Sequence, residues 1–294
     1  MVTESGAASD KSNILGQVLA QRERVAARLA QVRRIIAVMS GKGGVGKSAL
    51  TANLAAALAM QDKTVGVLDA DIHGASAAAM LGARRQKLEI TPQGVRPAIG
   101  VCGIRVMSMD LFLSDDDTPV HWQHPGGLAA DAFVWRGALE ANALREFLSD
   151  TDWEALDYLL LDLPPGVDRF DTVVRLVPQL TDPSRGGTIV VTIPSQISHL
   201  VVRRAIAAAR EAGAHLVGLI ENMAGYVGEG GEVIGPLFPN GHSAGLAADL
   251  GVPYWGSVPF DPRLARSTDA GRPWVLEHAD SAAGRAIFAM ASAL

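Results

Sequence analysis

The stretch Ile35-Ile36-Ala37-Val38-Met39-Ser40-Gly41-Lys42-Gly43-Gly44-Val45-Gly46-Lys47-Ser48 passes from a continuous apolar run into a glycine-rich loop ending on Lys-Ser. The apolar run has the composition of a strand buried on both faces. Gly41, Gly44 and Gly46 carry no Cβ, so backbone N–H groups can approach phosphate oxygens, and a helix opening at Lys47 adds the positive end of its dipole. The backbone of Gly41, Lys42, Gly43, Gly44, Val45, Gly46, Lys47, Ser48 and Ala49 is the expected anion cradle. Lys47 is placed to bridge terminal phosphates, and Ser48 to offer its hydroxyl to Mg2+.

Around this loop the 294-residue chain is 48% hydrophobic and 19% charged, enough apolar material for a sheet covered on both faces. Residues 1–32 read as a polar tail followed by an amphipathic helix, and residues 33–294 as one large phosphate-loop ATPase domain. The helix is expected over Asn13 to Val32, where Ile14, Leu15, Val18, Leu19, Val25 and Leu29 recur at helical spacing with arginines between them. A net charge of −5 gives no general attraction to nucleic acid or to anionic lipid, so neither is an expected partner. The single cysteine, Cys102, excludes an intrachain disulfide framework and fits a reducing compartment. It reads as a small buried hydrophobe. Met1 to Ser12 lacks the apolar core of a signal peptide, and no apolar run reaches the roughly 18 residues that span a bilayer. The expected location is the cytoplasm.

From Arg34 the sequence alternates strand and helix patterns. Strands are expected near Ile35–Met39, Thr64–Leu68, Ile104–Ser108, Tyr158–Leu161, Thr188–Ile193, Leu216–Ile220 and Tyr254–Val258. Helices are expected over Lys47–Met60, Ala138–Leu148, Ser198–Glu211, Ala244–Asp249 and Ala282–Ala291. This alternation predicts a doubly wound, mostly parallel α/β fold with ligands at the carboxyl ends of the strands. Leu113–Gly127 and Gly225–Gly241 are rich in Pro, Gly and Asp and are expected to be loops.

Two strand ends carry acids. Leu68-Asp69-Ala70-Asp71 places carboxylates at alternate positions, one toward a metal shell and one toward an attacking water; an N-cap pair is the other reading. Leu159-Leu160-Leu161-Asp162 is an apolar run closing on one acid, the pattern of a metal-holding strand end. Pro164-Pro165-Gly166 follows as a stiff start to a segment that senses the terminal phosphate. Lys42 is a second lysine that an ordinary phosphate loop does not need. Unable to fold back on its own nucleotide, it could reach one bound across a two-fold axis and couple dimerisation to ATP.

GKGGVGKS (41–48), LDADIHGAS (68–76), VWRGALEANALREFLSDTDWEALDYLLLDLPPG (134–166), GLIENMAGY (218–226) and GVPYWGSVPFDPRLARSTDAGRPWVLEH (251–278) occur in this order. Together they resemble the Mrp-type ATPases, a family usually described as iron–sulfur cluster carriers and grouped with MinD, ParA and the nitrogenase iron protein. The resemblance runs from about Arg33 to the C-terminus. It implies a homodimer that binds and slowly hydrolyses Mg-ATP and serves a protein client in cluster carriage or metalloprotein maturation. By the same resemblance Lys42 is the signature lysine acting in the dimer, Lys47 and Ser48 hold phosphate and Mg2+, and Asp71 orients the hydrolytic water. Asp69 and Asp162 support the metal, and Asn222, Pro259 and Asp261 match positions that hold the adenine base.

The chain departs from that pattern in two places. Cluster-carrying members have a Cys-x-x-Cys pair soon after the Glu-Asn-Met segment, whereas Ala224 to His242 contains no cysteine, so the family's iron–sulfur site lacks its thiolates here. Pro-Pro-Gly continues with Val167-Asp168-Arg169 in place of a smaller Thr-Gly-Asp sequence. His121 and His124 read as part of a solvated loop, with metal binding as the alternative. The competing functional class is a positioning switch of ParA or MinD type, for which Arg203, Arg204 and Arg210 would supply a basic patch.

Overall fold

The computed structural model describes residues 14–112, 141–238 and 241–294. In chain order its elements are α1 (Ile14–Ala30), β1 (Val32–Ser40), α2 (Lys47–Ala59), β2 (Val65–Asp69), α3 (Ala77–Met80), β3 (Glu89–Thr91), β4 (Gly94–Arg96), β5 (Ala98–Ile99), β6 (Arg105–Met107) and α4, described over residues 141–150. They continue with β7 (Leu156–Asp162), α5 (Phe170–Leu176), β8 (Gly186–Thr192), α6 (Gln196–Glu211), β9 (Leu216–Val227), β10 (Val233–Ile234), α7 (Ser243–Leu250), β11 (Tyr254–Phe260), α8 (Pro262–Asp269) and α9 (Ala282–Ser292).

Among the described residues nine strands form one sheet in the order β10-β9-β8-β1-β7-β2-β6-β5, with β11 also paired to β9. Every pairing among β11, β9, β8, β1, β7, β2 and β6 is parallel, and only β5 and β10 run antiparallel. β1 sits between β7 and β8, while the chain leaving β1 goes to β2, beyond β7. A crevice opens where strand order reverses in this way, and the loop after β1 lies there.

The apolar runs are continuous because both faces are covered. In β1, Ile35, Ala37 and Met39 enter a cluster with Val25 and Leu29 of α1 and Val202, Ala205 and Ile206 of α6. Ile36 and Val38 enter the opposite cluster with α2, α9 and Trp274. The period of two along the strand sends successive side chains to different layers. Removing each such Val, Leu or Ile from water contributes about 1.5–3 kcal/mol. On the second face Ala55, Ala56 and Ala57 of α2 are fully buried, their small side chains allowing close approach.

The doubly wound expectation holds, with local corrections. The leading helix ends at Ala30 and β1 already starts at Val32, inside the segment assigned to the helix. β9 does not stop at Ile220 but runs to Val227 and turns back through β10, so part of the expected Gly225–Gly241 loop is a hairpin. Pairing to β11 and β10 overrides the glycines there. Cys102 is exposed rather than buried. It sits at φ +54° in the tight turn between β5 and β6. The Leu113–Gly127 stretch, His121 and His124 fall outside the described residues.

Candidate functional site

Gly46 ends the loop at φ +79° and occupies the N-cap of α2, where no side chain caps the helix. The first-turn N–H groups of α2 are left for an external anion. A side chain at Gly46 is barred twice: the backbone is left-handed, and an added Cβ would fall onto Asn222 Nδ2. The loop, with Asp71 of the β2 exit, Ser76 and Pro165, lines a cavity of about 240 Å³.

Lys47 is 6% exposed and its Nζ lies 2.5 Å from Asp162 Oδ1. The same ammonium donates to Ser48 Oγ at 3.3 Å. Thr51, one helical turn on, donates to the Lys47 carbonyl at 3.0 Å and also lies 3.1 Å from Asp162 Oδ1. Asp162 Oδ2 is buried and has no hydrogen-bond partner among the described residues. A buried oxygen without a donor carries a desolvation cost that a cation or its water shell would relieve. The uncapped helix end, the Ser48 hydroxyl and this carboxylate are a donor set suited to a phosphate with Mg2+.

Asp69 and Asp162 are register partners on β2 and β7. Asp69 Oδ2 accepts the N–H groups of Ser76 at 2.8 Å and Ala77 at 2.9 Å, and Oδ1 accepts that of Asp71 at 3.1 Å. Ser108 Oγ donates to Oδ2 at 3.3 Å. Burial, followed by the neighbouring Asp162 charge, pushes the Asp69 carboxyl up to about 7 against the pull of these N–H groups. Asp69 is thus the anchor of the loop carrying Asp71. Asp71 accepts the Gly74 N–H at 3.1 Å. It lines the phosphate cavity and also a neighbouring one of about 300 Å³, which His73, Pro164, Pro165, Asp168 and Phe170 help to form.

Lys42 lines the mouth of the phosphate cavity, its carbonyl accepting from Ser40 Oγ at 2.9 Å. Among the described residues its ammonium has no ion pair. Asn222 reaches the loop, Nδ2 donating to the Val45 carbonyl at 2.8 Å. Pro259 and Asp261 line neither cavity. Asp261 is the N-cap of α8, accepting from Arg263 N and Nε at 2.9 Å each. The Arg263 guanidinium bonded to it holds its carboxyl below the usual range.

The structure therefore gathers the phosphate loop, Asp69, Asp71, Asp162 and Asn222, and Pro259 follows Val258, the register partner of Asn222 on β11. Sequence reasoning missed Thr51 and Ser108. Thr51 had a signal, four residues after Lys47 on one helix face; Ser108 had none, because sheet order alone brings β6 beside β2. Two of the three arginines of the expected basic patch are engaged. Arg203 pairs with Asp249 at 3.1 Å, and Arg210 donates to the Leu250 carbonyl, tying α6 to α7.

A phosphate loop between the central strand and its helix, faced by strand-end acids on a parallel sheet, defines a P-loop NTPase. The profile described as ParA: NUBPL iron-transfer P-loop NTPase matches residues 31–294. The chain belongs to that family. An iron-sulfur cluster carrier protein of Saccharolobus solfataricus is 40% identical over 273 residues, 92% of this chain and 86% of the relative. The cytosolic Fe-S cluster assembly factor NBP35 of Kluyveromyces lactis is 35% identical, covering 90% of this chain and 78% of the factor. Among solved structures, a nucleotide-binding protein from Archaeoglobus fulgidus in complex with ADP superposes with a TM-score of 0.69 at 34% identity, covering 86% of this chain and 92% of that one. MinD of Aquifex aeolicus shares the fold, with a TM-score of 0.56 at 22% identity over 88% of this chain and 95% of that one.

Proposed function

We propose that the chain is an Mg-ATP-binding, slowly hydrolysing ATPase of Mrp type that works as a nucleotide-gated homodimer in iron–sulfur cluster assembly, acting on a protein client in the cytoplasm. The observation that carries the proposal is the uncapped N-terminus of α2 together with the buried Asp162 carboxylate, whose Oδ1 pairs with Lys47 and whose Oδ2 has no partner among the described residues. In this reading the loop N–H groups and Lys47 hold the phosphates. Ser48 and Asp162 hold Mg2+, which neutralises charge on the phosphate oxygens. Asp69 keeps the Asp71 loop in place, and Asp71 orients the attacking water. Lys42, with no ion pair of its own among the described residues, reaches the nucleotide of the second subunit.

The cluster is cargo, and this chain has too few thiols to carry one in the Cys-x-x-Cys manner. One cysteine per chain gives two per dimer, short of four, and the β9–β10 hairpin, where the pair is expected, holds glycines and glutamates instead. The missing thiolates come from the client or from a partner. ATP turnover tests the reading. Asp71→Ala is expected to abolish turnover while retaining Mg-ATP and a dimer stable enough to capture the client. Unchanged turnover would overturn it.

A further inference from the structure

We infer that Asn222 is a positioning residue of the phosphate loop, a brace delivered by a bulge in β9 that fixes the Val45–Gly46 peptide. The inference deepens the nucleotide reading above and rests on it for the identity of the ligand.

β9 pairs with β8 as far as Glu221 and with β11 as far as Asn222, with a one-residue shift early in each pairing. Beyond that point the register slips. Val258 faces Asn222 and Phe260 faces Tyr226, so four steps along β9 match two along β11. Inside the slip Met223 takes φ +57°, a left-handed conformation that is uncommon for a side chain of its length. Bulges of this kind bend a strand and re-aim its side chains, and unusual backbone conformations persist where the surroundings enforce them.

The two residues at the slip converge on one turn. Asn222 Nδ2 donates to the Val45 carbonyl at 2.8 Å. The Met223 methyl lies 3.7 Å from the position a Cβ on Gly46 would take. That turn is where the loop becomes α2, and it is hinged on a glycine free to adopt several φ values. A flip of the Val45–Gly46 peptide would turn a carbonyl dipole toward the anion and withdraw an N–H from it. A carbonyl held by Asn222 cannot make that flip. The base of the brace is fixed in turn, because the Glu221 carboxylate accepts the Ser243 N–H at 3.1 Å and Ser243 Oγ lies 3.0 Å from His199 Nε2.

Base recognition and loop bracing make different demands. A residue that reads adenine matters to ATP and not to inorganic tripolyphosphate; a brace matters equally to both. The test uses the full chain with Asn222→Ala, and with Asn222→Asp as the isosteric variant should the alanine protein fold poorly. Amide hydrogen exchange at Gly44–Ser48 is measured without nucleotide, and Mg-ATP and Mg-tripolyphosphate are titrated by calorimetry. Loss of one such hydrogen bond predicts about tenfold faster exchange and about tenfold weaker binding of both ligands, with their affinity ratio preserved. Unchanged exchange, or a loss confined to ATP, would overturn the brace. Wild-type protein that binds neither ligand would defeat the nucleotide reading instead, and the exchange result would still decide the brace.

Discussion

At the scale of single residues, the centre of the site is an ion pair poised for exchange. Lys47 and Asp162 face each other almost without solvent, and one carboxylate oxygen has no donor among the described residues. Removing the cation alone leaves a buried charge unmatched, which costs about 3–5 kcal/mol in such settings, whereas neutralising both partners costs far less. Lys47→Met is therefore expected to lower unfolding stability in the nucleotide-free protein by that order. Adding Asp162→Asn is expected to restore most of it, as read from a denaturant double-mutant cycle; additive losses would show that the pair is not coupled. Asp69 makes a second prediction. Its carboxyl moves from an ordinary value of 3.8 to about 7 on folding, so between those values the folded state binds the extra proton. Stability then falls as pH rises across that window and levels off above it. The Asp69→Asn variant should lack this slope, and identical pH profiles for the two proteins would contradict the assignment.

At the scale of elements, short helices show what the chain makes legible. The long apolar runs of β1, β7 and β8 and the alanine-rich α2 declared themselves, because burial on two faces leaves one composition available. α8 was missed although Asp261-Pro262 is a cap followed by proline at the first helical position, a local signal as clear as any in the chain. The Asp261 carboxylate accepts from Arg263 N and from its guanidinium, which closes the first turn of α8. Asp261→Ala is expected to lose about 1–2 kcal/mol of stability, seen as a lower melting temperature; an unaltered melt would remove the capping role. The Asn222 brace was not legible at all. It depends on a register slip between β9 and β11, which no local periodicity encodes. The Asp69 carboxyl presents the same difficulty in milder form: its position after an apolar run was readable, but its N–H partners at Ser76 and Ala77 arise from a turn that the sequence does not mark.

At the scale of the whole molecule, the sheet brings residues 42, 47, 71, 162 and 222 to one edge, although they span most of the chain. The leading helix is part of the same body, packing on β1 and placing Val25 and Leu29 in the core cluster that β1 and β7 also enter. No helix among the described residues is long and apolar enough to cross a membrane. The cysteine count bears on cargo. Anaerobic reconstitution of the purified chain is expected to leave no stoichiometric iron and sulfide, and a cluster of four irons per dimer held by this chain alone would refute the borrowed-thiolate reading. The most direct test of the central claim is calorimetric titration of Mg-ATP into the wild-type chain and into Lys47→Ala. One nucleotide bound per wild-type chain, with binding lost in the variant, is the expected result. Absence of heat in the wild type, or equal affinity in both proteins, would contradict the phosphate site on which the account stands.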